Sequence, residues 1–265
     1  MAQSSPRQDV LVTGGGQRLG AAVCTAFARA GWRVWCQYRA SRDEALALCA
    51  RLRDEGHEAQ AVEADIGSEA QRVALVDRIA AVGALACIVN NASAFEADSG
   101  RDFDADAALR QLGVNLIAPL SFARLLARSA RAGDGIDRSA IHVLDQKVYN
   151  LNPDYFSYTV SKLALERAVA LQAQALAPSV RVCGVAPGIL FRSGPQTQAN
   201  FEQASRANLL RRPIDPDDVA RSCVFLAGTP SLTGTTLCVD NGQHLVPLAR
   251  DIMFVVDELL QASKP

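Results

Sequence analysis

The sequence lacks any excess of charge and any long apolar segment. Its 27 basic and 28 acidic residues give a formal net charge of −1, and the two signs are interspersed along the chain. This balance offers no basic surface for nucleic acid or for an anionic membrane. No apolar segment approaches the roughly 20 residues that cross a bilayer, and residues 1–6 lack the core of a signal peptide. We therefore expect neither nucleic acid nor a membrane as a partner.

Patterns of metal ligands are missing as well. The 7 cysteines are dispersed, with no CxxC pair and no zinc spacing, and the 3 histidines do not cluster. The sequence therefore predicts no metal site. An odd, dispersed set of cysteines is typical of reduced and mostly buried thiols, which indicates a cytoplasmic protein.

Lysine is scarce, because only 3 of the 27 basic residues are lysines. One of them, Lys162, follows Tyr158 by four residues in an Ala/Leu-rich segment that is typical of a helix. At this spacing both side chains share one helix face. A free tyrosine has a pKa of roughly 10, and a neighbouring cation lowers it toward a value that suits proton transfer. The alternative is an exposed helix pair without a chemical role.

Short apolar segments alternate with longer helical ones along the whole chain. This alternation predicts an α/β fold, a doubly wound parallel sheet of the Rossmann type, as a single domain over residues 1–265. Strands are predicted at 10–13, 32–38, 57–63, 85–90, 139–144, 181–185 and 236–239. Helices are predicted to about residue 30 and at 41–55, 69–82, 105–130, 155–177 and 217–227. Residues 187–213 are predicted to form a loop with one short helix.

The first predicted strand runs into the glycine-rich segment Thr13-Gly14-Gly15-Gly16-Gln17-Arg18-Leu19-Gly20. At the first strand-to-helix turn of such a sheet, glycines allow a tight turn and the helix N-terminus binds a pyrophosphate, although a plain turn is the alternative.

The second predicted strand ends in Tyr38-Arg39-Ala40-Ser41, with no acidic residue before Asp43. An NAD site prefers an acid there, whereas Arg39, Ser41 and Arg18 could hold the 2′-phosphate of NADP. Ser41 also opens a capping box with Glu44, and a capped helix start can still bind an anion.

In this order the motifs resemble the short-chain dehydrogenase/reductase family, from Val10 to about His244. The resemblance rests on the glycine segment, Asp65-Ile66, Asn90-Asn91-Ala92-Ser93, Asn115, Tyr158-x-x-x-Lys162 and Pro187-Gly188. It implies that Tyr158 donates a proton, that Lys162 lowers its pKa and holds the nicotinamide ribose, and that Asn115 supports a water chain. Asn90 would stabilise the central sheet. The cofactor NADPH/NADP would contact Thr13, Gly14, Arg18, Leu19, Gly20, Tyr38, Arg39, Ala40, Ser41, Asp65, Ile66, Asn91, Ala92, Ser93, Tyr158, Lys162, Pro187, Gly188 and Ile189.

Three departures from the family pattern resemble its pteridine reductase and dihydromonapterin reductase branch. Arg18 replaces a glycine, Ser93 and Phe95 follow Asn91, and Asp145 stands thirteen residues before Tyr158, where the family has serine. The branch implies substrate contacts from Arg18, Ser93, Phe95, Asp145 and Tyr158. An acid beside the tyrosine suits delivery of protons to ring nitrogens. The alternatives are an acidic strand-end residue at Asp145 and plain packing at Phe95.

Several segments depart from the family or are left open. The threonine usual after Pro187-Gly188 is missing, so backbone groups near Ile189 would have to replace it. Lys147 is either a solvated loop charge or a contact for an anionic substrate tail. Residues 191–212, with Arg206, Arg211 and Arg212, are predicted to be the substrate loop. The tail 245–265, apolar on one side, is predicted to lie at a subunit interface, and the family implies a homotetramer.

The sequence thus predicts an NADPH-dependent oxidoreductase that reduces a small pterin-type substrate by hydride transfer. The first alternative is a carbonyl or 3-oxoacyl-thioester reductase of the same family. A second is a non-catalytic NADP(H)-binding sensor, because folds of this kind are reused for binding alone.

Overall fold

A single parallel sheet organises the chain. The computed structural model describes residues 8–131, 133–194 and 196–262. Seven strands pair in the order β3-β2-β1-β4-β5-β6-β7, and every pairing is parallel. They are β1 Gln8–Val12, β2 Arg33–Tyr38, β3 Ala59–Glu63, β4 Ala84–Asn90, β5 Ser139–Val143, β6 Arg181–Pro187 and β7 Thr236–Val239. The predicted α/β fold, a doubly wound Rossmann-type sheet, is confirmed.

Helices cover both faces of this sheet. They are α1 Arg18–Arg29, α2 Arg42–Asp54, α3 Glu69–Val82, α4 Ala105–Leu112, α5 Ala118–Arg128, α6 Phe156–Leu176, α7 Gln198–Ala204, α8 Pro216–Ala227 and α9 Ile252–Ala262. The strand order reverses between β1 and β4, so the connections that follow these two strands diverge to opposite faces. Such a reversal opens a crevice at the carboxyl ends of the strands, which is where ligands bind in this kind of sheet.

The two faces carry separate apolar cores. Val10 and Val12 of β1 pack against one layer of helices, whereas Leu11 between them packs against the other. All three are fully buried, and burying a side chain of this size stabilises the fold by about 1.5–3 kcal/mol. Burial on both sides explains why the strands are continuous apolar runs rather than alternating ones.

The helix predicted at 105–130 is not continuous, so this prediction is wrong in detail. Helices α4 and α5 are separated by a π-helical turn, Gly113–Ile117. In an α-helix the carbonyl of Asn115 would accept a hydrogen bond from the residue four positions later, which is Pro119. Because proline has no N–H, that bond cannot form, and the wider turn accommodates the loss.

Elsewhere the elements lie close to their predicted ranges. Strand β6 continues two residues beyond its predicted end and reaches Pro187, and α7 is the short helix expected between 187 and 213. In the part of the chain that the structure describes, no helix combines the length and apolar character that crossing a membrane requires. Residues 263–265 of the predicted tail lie outside the described residues.

Candidate active site

A cleft with a volume of about 620 Å³ follows the carboxyl ends of the strands. Most of the predicted site residues line it: Gly14, Arg18, Leu19, Gly20, Arg39, Ala40, Ser41, Asp65, Ile66, Asn91, Ala92, Ser93, Phe95, Asp145, Tyr158, Lys162, Pro187, Gly188 and Ile189. Thr13, Tyr38 and Asn115 are not among its lining residues, and all three are buried. Most of the predicted site residues therefore share one cleft, and these three lie behind its wall.

The glycine turn is shaped by two positions at which a side chain would not fit. Gly14 has φ of +61°, and a Cβ on Gly20 would lie 2.1 Å from the carbonyl oxygen of Gly14. Gln37 supports the turn from β2, because its Oε1 accepts a hydrogen bond from the Gly14 N–H at 2.9 Å. Its Nε2 donates to the carbonyl of Ala64 at 2.7 Å. The sequence analysis missed Gln37, although a glutamine inside a buried strand is itself a signal of a specific polar contact.

Arg18 adopts a backbone conformation that arginine rarely takes. Its φ is +49°, in the left-handed region that glycine occupies at low cost. Its Nη2 donates to the carbonyl of Arg192 at 3.0 Å, across the mouth of the cleft. The chain therefore keeps an arginine where glycine would be less strained, and the guanidinium is placed at the cleft.

The capping box predicted at Ser41 does not form. Ser41 precedes α2, but its side chain makes no capping hydrogen bond, and Glu44 instead accepts from Gln17 Nε2. A Cβ on Gly16 would lie 3.1 Å from Ser41 Oγ, so this hydroxyl faces the glycine turn. Arg39 beside it is exposed. Both groups are therefore free to meet an anion at this end of the cleft.

Thr13 and Asn91 join the loops that follow β1 and β4. Thr13 Oγ1 accepts hydrogen bonds from the N–H groups of Asn91 and Ala92, both at 3.0 Å. Asn91 Nδ2 donates to the carbonyls of Thr13 at 3.0 Å and Gly14 at 3.2 Å. Thr13 therefore holds the loop that follows β4 against the glycine turn from a buried position. Tyr38 belongs to the apolar core beneath it.

Asn115 clamps the loop after β4 to α6. Its Oδ1 accepts from the Ala94 N–H at 2.8 Å and from Ser93 Oγ at 3.2 Å. Its Nδ2 donates to the Ala94 carbonyl at 2.8 Å and to Ser161 Oγ at 3.0 Å. The side chain therefore has protein partners on both polar atoms, and the water chain that the family resemblance implies stays a prediction.

Asp145 and Tyr158 form a hydrogen-bonded pair at the centre of the cleft. The Tyr158 hydroxyl donates to Asp145 Oδ2 at 2.8 Å, and the Lys147 N–H donates to Asp145 Oδ1 at 2.8 Å. Burial raises the pKa of Asp145. Burial and the adjacent Asp145 carboxylate also raise the pKa of Tyr158 well above its usual value. The predicted lowering of the Tyr158 pKa is therefore wrong for this structure, and Tyr158 is a protonated phenol at neutral pH.

Lys162 lies one turn further along α6 and is buried. Its Nζ donates to the carbonyl of Val143 at 2.7 Å and lies 5.7 Å from the centroid of the Tyr158 ring. Burial lowers the pKa of Lys162 to about 8. The ammonium is thus held between β5 and α6, and burial is the main cause of the raised pKa of Tyr158.

Phe95 forms an aromatic wall with two tyrosines. Its ring stacks on Tyr155 with centroids 4.2 Å apart and meets Tyr158 edge-on at 4.7 Å. Phe95 is 42% exposed, whereas Tyr155 is 5% exposed. Tyr155 has φ of +53° immediately before α6. The sequence analysis missed Tyr155, because a lone tyrosine before a helix carries no signal of its own.

The C-terminal segment contributes residues that the sequence did not assign to the site. Leu248, Asp251, Ile252 and Met253 line the cleft, and Ile252, Met253 and Val256 are buried against the rest of the chain. These three apolar residues of the tail therefore pack within their own chain, and the subunit interface predicted for residues 245–265 stays a prediction.

Only the first part of the predicted substrate loop reaches the cleft. Phe191, Ser193 and Gln196 line it, whereas Arg206, Arg211 and Arg212 do not.

The Ile189 N–H, a candidate to replace the missing threonine, already donates to Gln243 Oε1 at 2.9 Å. The interpretation of Lys147 as a solvated charge is wrong, because this side chain is 4% exposed.

Known proteins resemble the chain over most of its length. Residues 16–244 match a family model described as enoyl-(acyl carrier protein) reductase. An uncharacterized oxidoreductase of Mycobacterium tuberculosis is 31% identical over 244 residues, which cover 88% of this chain and 90% of the relative. A dihydromonapterin reductase of Citrobacter koseri is 25% identical over 243 residues, which cover 89% of this chain and 96% of the relative.

A solved structure shares both the fold and part of the sequence. It is FolM alternative dihydrofolate reductase 1 from Brucella canis complexed with NADP, with 34% identity and a TM-score of 0.86. The match covers 92% of this chain and 97% of that one. Together with the family model, this agreement establishes that the chain belongs to the short-chain dehydrogenase/reductase family of oxidoreductases.

Proposed function

We propose that this chain is an NADPH-dependent reductase of a dihydropteridine substrate. The observation that carries the proposal is the hydrogen bond of 2.8 Å from the Tyr158 hydroxyl to Asp145. A serine at residue 145 would steady a ketone oxygen, whereas a carboxyl group can hold and release a proton.

The cleft suits NADP at its far end. Arg18, Arg39 and Ser41 are grouped around the glycine turn and α2, and no acidic side chain follows β2 until Asp43. Guanidinium groups bind a phosphate through paired hydrogen bonds. The absence of an acid removes the usual partner of the NAD ribose hydroxyls. The FolM structure that resembles this chain was solved with NADP.

NADPH supplies a hydride when it is bound. For a C=N bond, the carbon accepts the hydride and the nitrogen accepts a proton. Tyr158 is suited to deliver this proton, because its raised pKa keeps the phenol protonated at neutral pH. Asp145 is suited to replace it, because burial favours the protonated form of this carboxyl group. Lys162 holds its place beside Val143 and would bind the nicotinamide ribose.

The substrate side of the cleft suits a flat heterocycle. Phe95 offers a partly exposed ring edge-on to Tyr158, and aromatic rings bind planar ligands by stacking. Ser93 and Arg18 line the same cleft and would contact both pterin and cofactor.

We also propose that the chain assembles as a homotetramer in the cytoplasm. Leu109 of α4, Ile117 of the π-helical turn and Leu171 of α6 are each at least 50% exposed. Large apolar side chains that are exposed on the protein surface favour an interface between copies of the chain.

The proposal is tested by NADPH consumption with dihydromonapterin or dihydrobiopterin, run beside an acetoacetyl thioester. Turnover of a pterin that disappears in Tyr158→Phe supports both the substrate class and the proton donor. Turnover of the thioester alone would favour the carbonyl reductase alternative. Tight NADPH binding without turnover of either substrate would favour the sensor.

A further inference from the structure

Lys147 is a buried cation that none of the roles above uses. It is one of three lysines in a chain with 24 arginines, and it lies in the short 3₁₀ turn Gln146–Val148 that follows Asp145. Its side chain is 4% exposed. Removing an ammonium from water is costly unless it gains close partners, so the contacts of Lys147 indicate what its burial achieves.

The backbone of Lys147 holds Asp145. Its N–H donates to Asp145 Oδ1 at 2.8 Å, while the Tyr158 hydroxyl donates to Oδ2 at 2.8 Å. One donor on each oxygen fixes the plane of the carboxyl group. The orientation of Asp145 toward Tyr158 therefore depends on where the 3₁₀ turn lies.

The side chain of Lys147 contacts the turn that precedes α6, the helix that carries Tyr158. Its Nζ donates to the carbonyl of Asp154 at 2.6 Å and lies 5.4 Å from the centroid of the Tyr155 ring. Tyr155 has the left-handed φ of +53° immediately before α6, a conformation that persists only when its surroundings hold it. The ammonium thus stabilises the strained turn that precedes α6, and α6 in turn places Tyr158 in the cleft.

Two acids and an arginine complete the surroundings of Lys147. Asp251 Oδ2 lies 3.4 Å from its Nζ. Asp154 Oδ2 accepts from Arg250 Nε and from the Asp251 N–H, both at 2.8 Å. Two cations and two carboxylates make this group neutral, and it ties the C-terminal segment to the turn before α6.

We propose that Lys147 is a positioning residue that sets the contact between Asp145 and Tyr158 from both sides. Its backbone orients the carboxyl group, and its ammonium fixes the start of the helix that carries the phenol. An arginine is longer and its planar head cannot point three donors around one nitrogen, which accounts for a lysine here. The proposal rests on the proposed function for its kinetic consequence but not for its structural one.

A titration of Asp145 in the absence of substrate tests this directly. The groups that face Asp145 are Lys147 from its own turn and Tyr158 and Lys162 from α6, and Asp251 faces Tyr158 from the C-terminal segment. In ¹³C NMR of aspartate-labelled protein, Asp145→Asn identifies the resonance. We expect Lys147→Met to raise the pKa of Asp145 by about one pH unit, because it removes a nearby positive charge. Lys147→Arg keeps the charge, so it should leave this pKa within a few tenths of a unit, but it should still slow hydride transfer because its planar head cannot replace the ammonium contacts.

Asp251→Asn removes the negative charge beside Lys147 and leaves Lys147 itself in place. Removing this negative charge should lower the pKa of Asp145 by a few tenths of a unit. If Lys147→Met does not fold, the rate of hydride transfer in Lys147→Arg decides the matter. An unchanged Asp145 pKa in Lys147→Met, or a wild-type transfer rate in Lys147→Arg when only that variant folds, would overturn the proposal and leave Lys147 a structural residue.

The kinetic consequence is measured by single-turnover hydride transfer. We expect Lys147→Met to slow it about tenfold, as a misplaced proton donor does, with NADPH affinity unchanged within about twofold, because Lys147 lies away from the glycine turn. A tenfold weaker NADPH affinity at an unchanged transfer rate would contradict the positioning role. Absence of pterin turnover in the wild-type protein would count against the proposed function, while the titration would still test Lys147.

Discussion

Arg18 has a backbone conformation that lowers the stability of the fold, while its side chain lines the cleft. A left-handed backbone costs a residue with a side chain about 1–2 kcal/mol relative to glycine, and Arg18 has φ of +49°. Among the residues that the structure describes, its guanidinium donates to the carbonyl of Arg192 alone, through an exposed hydrogen bond. The folded chain gains little from the arginine, so the cost indicates a ligand contact at the cleft mouth.

Replacing Arg18 should therefore separate stability from activity. We expect Arg18→Gly to increase the free energy of unfolding by about 1 kcal/mol, because glycine relieves the left-handed strain. The same variant should lose at least tenfold in kcat/KM. Denaturant unfolding and steady-state kinetics measure the two effects. Arg18→Ala is the matched control, since it loses the guanidinium but keeps the strain. Lower stability in Arg18→Gly than in Arg18→Ala would contradict this explanation.

The buried Lys162 predicts a pH dependence of stability. Burial lowers its pKa to about 8, whereas an unfolded lysine titrates near about 10.4. Between these values the unfolded chain binds a proton that the folded chain does not, so stability rises with pH by about 1.4 kcal/mol per unit.

We therefore compare wild type with Lys162→Met, in which all other titrating groups are shared. The free energy of unfolding of wild type should increase relative to the variant by about 3 kcal/mol between about pH 8 and pH 10.5. Urea unfolding at a series of pH values measures the difference. A constant difference over this window would show that Lys162 is not desolvated.

At the scale of elements, the sequence predicted the features that depend on residues close together in the chain. Continuous apolar runs predicted the strands, because each is buried on both faces. The glycine turn and the pair in α6 were located by their spacing in the chain, and Asp145 by the resemblance to the family. The contacts that surround them join residues distant in sequence, such as Asp251 with Lys147 and Gln37 with Gly14, and no local pattern reports them.

Two local predictions failed for physical reasons. The helix at 105–130 was predicted as continuous, although Pro119 lies within it and removes the donor for the carbonyl of Asn115. The capping box at Ser41 has the expected residues, but Glu44 bonds to Gln17 and the serine faces the glycine turn. In both cases a tertiary partner or a missing donor outweighed the local preference.

One side chain joins α7 to α9, the helix whose first residues, Ile252 and Met253, line the cleft. The fully buried Asn200 of α7 donates from Nδ2 to the Met253 carbonyl at 2.7 Å and to Asp257 Oδ1 at 2.6 Å. We expect Asn200→Leu to raise the KM for the substrate at least fivefold, because the two helices lose their connection, while NADPH affinity stays unchanged. Gln198→Ala, an exposed change on the same helix, is the control. An equal loss of NADPH affinity would contradict this assignment.

At the scale of the whole molecule, the strand order places all the chemistry at one edge of the sheet. The loops after β1, β4, β5 and β6 meet there, and they carry the glycine turn, Asn91, Asp145 and Pro187. On the surfaces of α4 and α6, Leu109 and Leu171 are large apolar side chains that remain exposed.

Those surfaces predict the assembly. We expect light scattering to give the mass of four chains for wild type, because exposed leucines favour burial against a second copy. Leu171→Glu places a charge at a side chain that is 66% exposed, so it should reduce the mass to that of two chains or one without unfolding the protein. A wild-type monomer at micromolar concentration would contradict the homotetramer.

The substrate selectivity of Asp145 tests the account most directly. The measurement is the ratio of kcat/KM for dihydromonapterin to that for an acetoacetyl thioester, in wild type and in Asp145→Ser. Because a serine cannot supply the proton that a carboxyl group can, we predict that the ratio falls at least about 100-fold in the variant. An unchanged ratio would contradict the account and assign Asp145 no part in choosing the substrate.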